Sequence, residues 1–103
     1  MLNLNDIPNW LVNLEVEDIN FIKKFVLYSG SLKDLANEYN ITYPTMRIRL
    51  DKLIEKIKIY DQSEIDPYIE RIKILAIDNK IDLDTAKSLI NEYRKVKNKD
   101  GSK

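Results

Sequence analysis

The chain has 103 residues, 44% hydrophobic and 33% charged, with 17 basic residues, 17 acidic residues, no histidine and no cysteine. That balance over a single domain's length builds a modest ordered core and argues against a disordered chain. Without Cys there is no disulfide or thiolate metal site. Without His the commonest general base and the commonest neutral metal ligand are both missing, so neither an enzyme nor a cofactor or metal is expected.

No apolar run approaches the length of a membrane span. Met1 to Asp6 lacks the basic start and apolar centre of a secretory leader, so a cytoplasmic location is expected. The zero net charge is unevenly spread. Residues 1–42 carry three Lys and six acids (−3), residues 43–60 five cations and two acids (+3), and residues 61–103 nine of each. Phosphate contacts need local rather than global positive charge, although a solvated helix face would read the same way.

Pro8, Trp10, Leu11 and Leu14 predict a short helical turn whose Trp closes the core from one side. A helix follows over about 16–29, with Ile19, Ile22, Phe25, Val26 and Ser29 at spacings of three and four. Glu15, Glu17 and Asp18 suit its positive N-terminal end, and Gly30 suits a left-handed stop.

Ser31 caps the next helix, with Asp34 three residues on as a weak capping box. Leu32, Leu35, Ala36 and Tyr39 form its buried face, Ala36 being small enough for a close helix crossing. Asn40 tolerates the left-handed turn where many such motifs place Gly. Thr42 then caps a third helix (about 43–58), with Pro44 in its first turn. Two helices joined by so short a turn are the pattern of a helix-turn-helix, whose second helix ordinarily enters the DNA major groove.

On the third helix Met46, Leu50, Leu53, Ile54 and Ile57 share the core side. Pro44, Ile48, Asp51, Lys52 and Glu55 face outward, flanked by Tyr43 and Arg47 on one edge and Thr45, Arg49 and Lys56 on the other. Ile59 also points away from the core. A wing is not expected, because only Ile57 to Tyr60 remains for strands before Pro67.

Asp61, Gln62 and Ser63 break the pattern. Asp66-Pro67 opens a helix to about Asp78, with Ile69, Ile72, Leu75 and Ala76 apolar. Asn79 and Lys80 turn the chain, and Asp82 caps a last helix striped by Leu83, Ala86, Leu89, Ile90, Tyr93 and Val96. The fold expected is all-α. A helix-turn-helix three-helix core spans 1–60, a C-terminal helical hairpin for oligomerisation or docking spans 61–97, and a polar, disordered tail spans 98–103.

Several stretches carry a family resemblance. They are Pro8, Trp10 and Leu11; Phe25-Val26-Leu27; Ser29-Gly30-Ser31-Leu32-Lys33 with Ala36; Tyr43-Pro44-Thr45 with Arg47; and Arg49-Leu50-Asp51 with Leu53-Ile54. Over roughly its first 60 residues the chain resembles a small prokaryotic family known as domain of unknown function 2089. The resemblance implies a helix-turn-helix regulator without an assigned activity. Many relatives have an N-terminal zinc ribbon; this chain has no cysteine, so no metal is carried over. Ile72, Leu75, Lys80-Ile81 and Thr85-Ala86 with Leu89 are similar to short bacterial oligomerisation hairpins.

For double-stranded DNA, the expected base contacts are Tyr43, Pro44, Thr45, Arg47 and Ile48. Arg47 would take a guanine bidentately, and Ile48 would touch a thymine methyl. Thr42, Arg49, Lys52 and Lys56 would meet phosphates. A homodimer is expected, since operators usually hold two half-sites about 34 Å apart, with Ile72, Leu75, Leu89, Ile90 and Tyr93 as its interface. The alternative is a non-enzymatic interaction module binding another transcription protein through the outward isoleucines or the hairpin. Ser29, Ser31 and Thr42 have cap roles and no base to activate them. Tyr28, Tyr39 and Tyr43 lack the basic groove of a single-strand binder.

Overall fold

In the computed structural model, described for residues 4–62 and 66–101, every regular element is helical. A 3-10 turn at Leu4–Asp6 precedes α1 (Asn9–Val12), α2 (Val16–Leu27), α3 (Leu32–Tyr39), α4 (Tyr43–Tyr60), α5 (Pro67–Ile77) and α6 (Leu83–Gly101). The chain folds as two units, Met1–Asp61 and Gln62–Lys103. Met1–Asn3, Ser63 of the expected break, and the last two residues of the expected tail lie outside the described residues.

In the first unit Leu35 and Met46 are fully withdrawn from water, with Phe21, Leu14, Leu32, Ala36 and Leu53 around them. Trp10 packs against this cluster from α1, and Asn9 Nδ2 donates to the Tyr60 carbonyl at 3.3 Å. Ala36 sits in the core on α3, which packs directly on α4.

The buried face of α2 differs from the expected one. Phe21 is its anchor, with Ile22, Phe25 and Tyr28 beside it, whereas Ile19, Val26 and Ser29 lie outside. Apolar residues occur nearly all round this helix, so spacing alone fits two overlapping stripes. Packing on Leu35 and Met46 selects the one through Phe21. Ile59 is likewise buried rather than outward.

Three helix ends share one device. The N–H of Ser29 donates to Val26 C=O and that of Gly30 to Phe25 C=O; Asn40 with Ile41, and Asn79 with Lys80, repeat the pair. These are Schellman closures, and the residue in the left-handed conformation is Ser29 (φ 54°), Asn40 (φ 58°) or Asn79 (φ 60°). The stop after α2 therefore begins on Ser29, one residue before Gly30, which is itself left-handed at φ 79°. Ile41, after Asn40, folds onto the core.

Helix starts are capped as their residues dictate. Ser31 accepts the N–H of Asp34 and Thr42 that of Thr45, while Asp66 accepts from Tyr68 and Asp82 from Thr85. In the second unit α5 and α6 pair, with Ile69, Ile72, Ile74 and Ala86 buried. Tyr93 is held twice, its ring 4.5 Å from that of Tyr68 and its hydroxyl donating to Asp66 at 2.8 Å. Helix α6 continues to Gly101, so the start of the expected disordered tail is helical instead. Once a helix is nucleated each added residue costs little, and Lys95 and Lys97 suit its negative C-terminal end.

Candidate nucleic-acid interface

Three residues, Asn40 to Thr42, separate α3 from α4. Thr42 makes this turn a rigid start for α4. Its hydroxyl accepts the Thr45 N–H and donates to Thr45 Oγ1 at 2.9 Å. That leaves the Thr45 hydroxyl proton unspent and the Thr42 hydroxyl committed within the cap.

The first two turns of α4 turn Tyr43, Pro44, Thr45, Arg47 and Ile48 to solvent, while Met46 between them is fully buried. Tyr43 is 53% and Ile48 57% exposed, large apolar surfaces for one short segment. Arg47 Nε lies 3.3 Å from Asp51 Oδ1, one turn on. Both groups are half in water, so this pair is weak and readily exchanged. Lys52 is half-buried, and no described carboxylate lies within ion-pair distance of it.

Two expected phosphate ligands are placed otherwise. Lys56 is 7% exposed, and its ammonium donates to Asp18 Oδ2 at 3.2 Å. The Arg49 guanidinium lies 4.7 Å from the Tyr39 ring centroid and 5.0 Å from that of Phe21, with Nη2 3.5 Å from Glu17. Both cations are thus turned back onto α2 and α3. At 100° per residue they stand only about 40° and 60° round the helix from the buried Leu53, near enough for tertiary partners to claim them. The partners are 10 to 38 residues away in sequence, beyond any local signal.

A second brace fixes α2 on α3. Lys24 Nζ donates to Glu38 Oε1 at 3.1 Å, and the Tyr28 hydroxyl donates to Glu38 Oε2 at 3.2 Å. The Lys24 hydrogen bond holds the Glu38 carboxyl below its ordinary range, and in return Glu38 holds Lys24 above its own. The negative charge of Glu38 likewise raises Tyr28. No local pattern in the sequence points to this brace, because Lys24 and Glu38 are on different helices, 14 residues apart.

The interface expected for a second copy is also partly occupied. Ile72 is buried within the single chain, and Tyr93 is engaged by Tyr68 and Asp66. Leu75, Leu89 and Ile90 are half-buried. Among the described residues no helix is long and apolar enough to cross a membrane.

A capped three-residue turn, a small residue at the helix crossing and a second helix with one face in the core and one in solvent define a helix-turn-helix domain. Residues 14–60 match the family model described as Domain of unknown function (DUF2089)-HTH, and this segment of the chain is similar to that family. The match spans α2 to α4 and leaves α1 and the hairpin outside it. No curated protein and no solved structure matches the chain.

Proposed function

We propose that this protein is a sequence-specific DNA-binding transcriptional regulator that lays the N-terminal end of α4 in the major groove. The observation that carries the reading is the division of α4 into a face locked by Met46 and Leu53 and an outward first stretch displaying Tyr43, Thr45, Arg47 and Ile48. Recognition helices of this class read base edges from that end. Arg47 leaves Asp51 to take a guanine bidentately, Thr45 donates its spare hydroxyl proton, and Ile48 and Tyr43 contact thymine methyls and sugar. Pro44 shapes the approach, and Lys52 supplies the phosphate contact. Arg49 and Lys56 hold the helix in place instead. The regulator acts as a homodimer on paired half-sites. In the hairpin, Leu75, Leu89 and Ile90 keep apolar surface for the second copy, while Ile72 and Tyr93 do not.

The test is fluorescence anisotropy of the full chain on pooled genomic fragments of its host, at about 50 and 200 mM salt. Tight binding at low salt that weakens steeply, with residual preference for a subset of fragments, is the expected result. No binding at either salt would remove the reading. The exposure of Ile48 and Tyr43 favours one alternative, a docking face for another transcription protein. In that case Ile48→Glu abolishes capture of the protein partner, and there is no duplex binding to lose.

A further inference from the structure

The second unit carries a charged cleft whose cations have no part in the reading above. It is lined by Lys73 of α5 and by Lys87, Ile90, Asn91 and Arg94 of α6, encloses roughly 360 Å³, and has no carboxylate in its lining. Among the described residues none of the three cations is in an ion pair. Elsewhere Lys24, Arg47, Arg49, Lys56, Lys58 and Lys97 each face an acid. Like charges gathered without a counter-charge repel one another, so the cleft is stabilised by whatever anion enters it.

The pattern extends along α6. Lys87, Asn91, Arg94 and Asn98 fall at i, i+4, i+7 and i+11, one stripe of cations alternating with amides. Residues 87–99 hold five cations against the single acid Glu92, although residues 61–103 balance as a whole. At about 1.5 Å per residue the stripe is roughly 16 Å long, close to five base-pair rises of duplex. An extended row of cations and amide donors matches a repeating polyanion better than one small anion.

We propose that this cleft and stripe form a second DNA contact, binding the phosphodiester backbone without reading sequence. The inference rests on the DNA-binding reading and adds a surface to it. It gives the hairpin a duplex-anchoring role beside any part in dimerisation. Contacts of this kind raise affinity uniformly and steepen its salt dependence.

The experiment measures binding of the full chain to a mixed-sequence duplex of about 30 base pairs across a salt series. Three proteins are compared: wild type; the triple variant Lys73→Gln/Lys87→Gln/Arg94→Gln; and a control, Lys23→Gln/Lys33→Gln/Lys80→Gln, which removes equal charge elsewhere. Circular dichroism checks that each keeps its helicity. The triple variant is expected to bind at least about tenfold more weakly near physiological salt, with a log–log slope shallower by about 2 to 3, and the control to keep most of the wild-type slope. An unchanged slope in the triple variant, or an equal loss in the control, overturns the inference. If in addition Arg47→Ala relaxes specificity, the reading of α4 survives that failure. If wild type binds no duplex, both readings fall. Binding only to vesicles rich in phosphatidylserine, lost in the triple variant, would overturn the proposal in favour of a lipid surface.

Discussion

Lys56 of α4 donates to Asp18 of α2 at 3.2 Å, with both side chains largely withdrawn from water. The pair joins residues 38 positions apart and pins the C-terminal part of α4 to α2. Removing Lys56 leaves the Asp18 carboxylate poorly compensated in a place water reaches only partly, and removing Asp18 takes an acceptor from a withdrawn ammonium. Lys56→Met or Asp18→Leu should therefore cost about 2–3 kcal/mol, below the cost in a fully buried pair because Asp18 keeps some exposure. The double change Lys56→Met/Asp18→Leu should recover most of that loss. Urea denaturation of the four proteins gives the coupling; single variants as stable as wild type would show that the pair contributes nothing.

Arg47 is exposed and Lys52 half-buried on α4, and they differ in what they are expected to touch. Arg47→Ala should relax base preference at one operator position, costing about 1–3 kcal/mol against the preferred base and little against others. Lys52→Ala should weaken all sequences alike and make the salt slope shallower by about one. Competition binding across a randomised duplex library separates the two. Identical profiles for both variants would remove the major-groove assignment of α4.

The contact between Tyr93 and Asp66 gives the hairpin a pH signature. The Tyr93 hydrogen bond is the main cause holding the Asp66 carboxyl below its ordinary 3.8. Stability from this depressed carboxylate is fully present above about 3.8 and is lost as the pH falls through the lower folded value. Tyr93→Phe should raise the Asp66 titration midpoint, measurable by carboxyl NMR, and should flatten the acid limb of the stability profile. An unmoved midpoint would mean that the backbone N–H of Tyr68 and the nearby Lys97 hold the charge alone.

The helix stops can be tested one residue at a time. Ser29 sits at φ 54° with no glycine-like freedom. Ser29→Gly removes the left-handed strain at the cost of a looser unfolded chain, with a net gain of roughly 0.5 kcal/mol expected. Asn40→Val places a β-branched side chain at φ 58° and should cost about 1–2 kcal/mol. Chemical denaturation reads both, and a neutral Asn40→Val would mean that the turn relaxes out of the left-handed region.

Much of the helix-turn-helix was legible because its signals are local. Ser31, Asn40, Thr42 and Pro44 each act on a neighbouring backbone group, and Leu32, Leu35, Ala36 and Met46 repeat with the helical period. The face of α2 was not legible, because Ile19 and Val26 compete with Phe21 on spacing alone and only the core decides between them. The Arg49 and Lys56 contacts were hidden for a different reason. Their partners lie on other helices, and a cation's sequence position does not say which acid or ring it will meet. Ile74 was passed over in a helix where isoleucine occupies more than one face. The basic stripe of α6 was masked by averaging its charge with the acidic residues that precede it.

The connection from α3 to α4 contains no glycine, yet it passes through a left-handed residue and a threonine cap bonded in two directions, and it leads into a ring-locked proline in the first turn of α4. Little torsional slack remains between the two helices. Under the proposed DNA reading, a head set this firmly would meet a duplex as a finished template, so adjustment would fall to the nucleic acid. Sequences whose grooves widen or bend at low cost should then be preferred at base pairs that no side chain reaches.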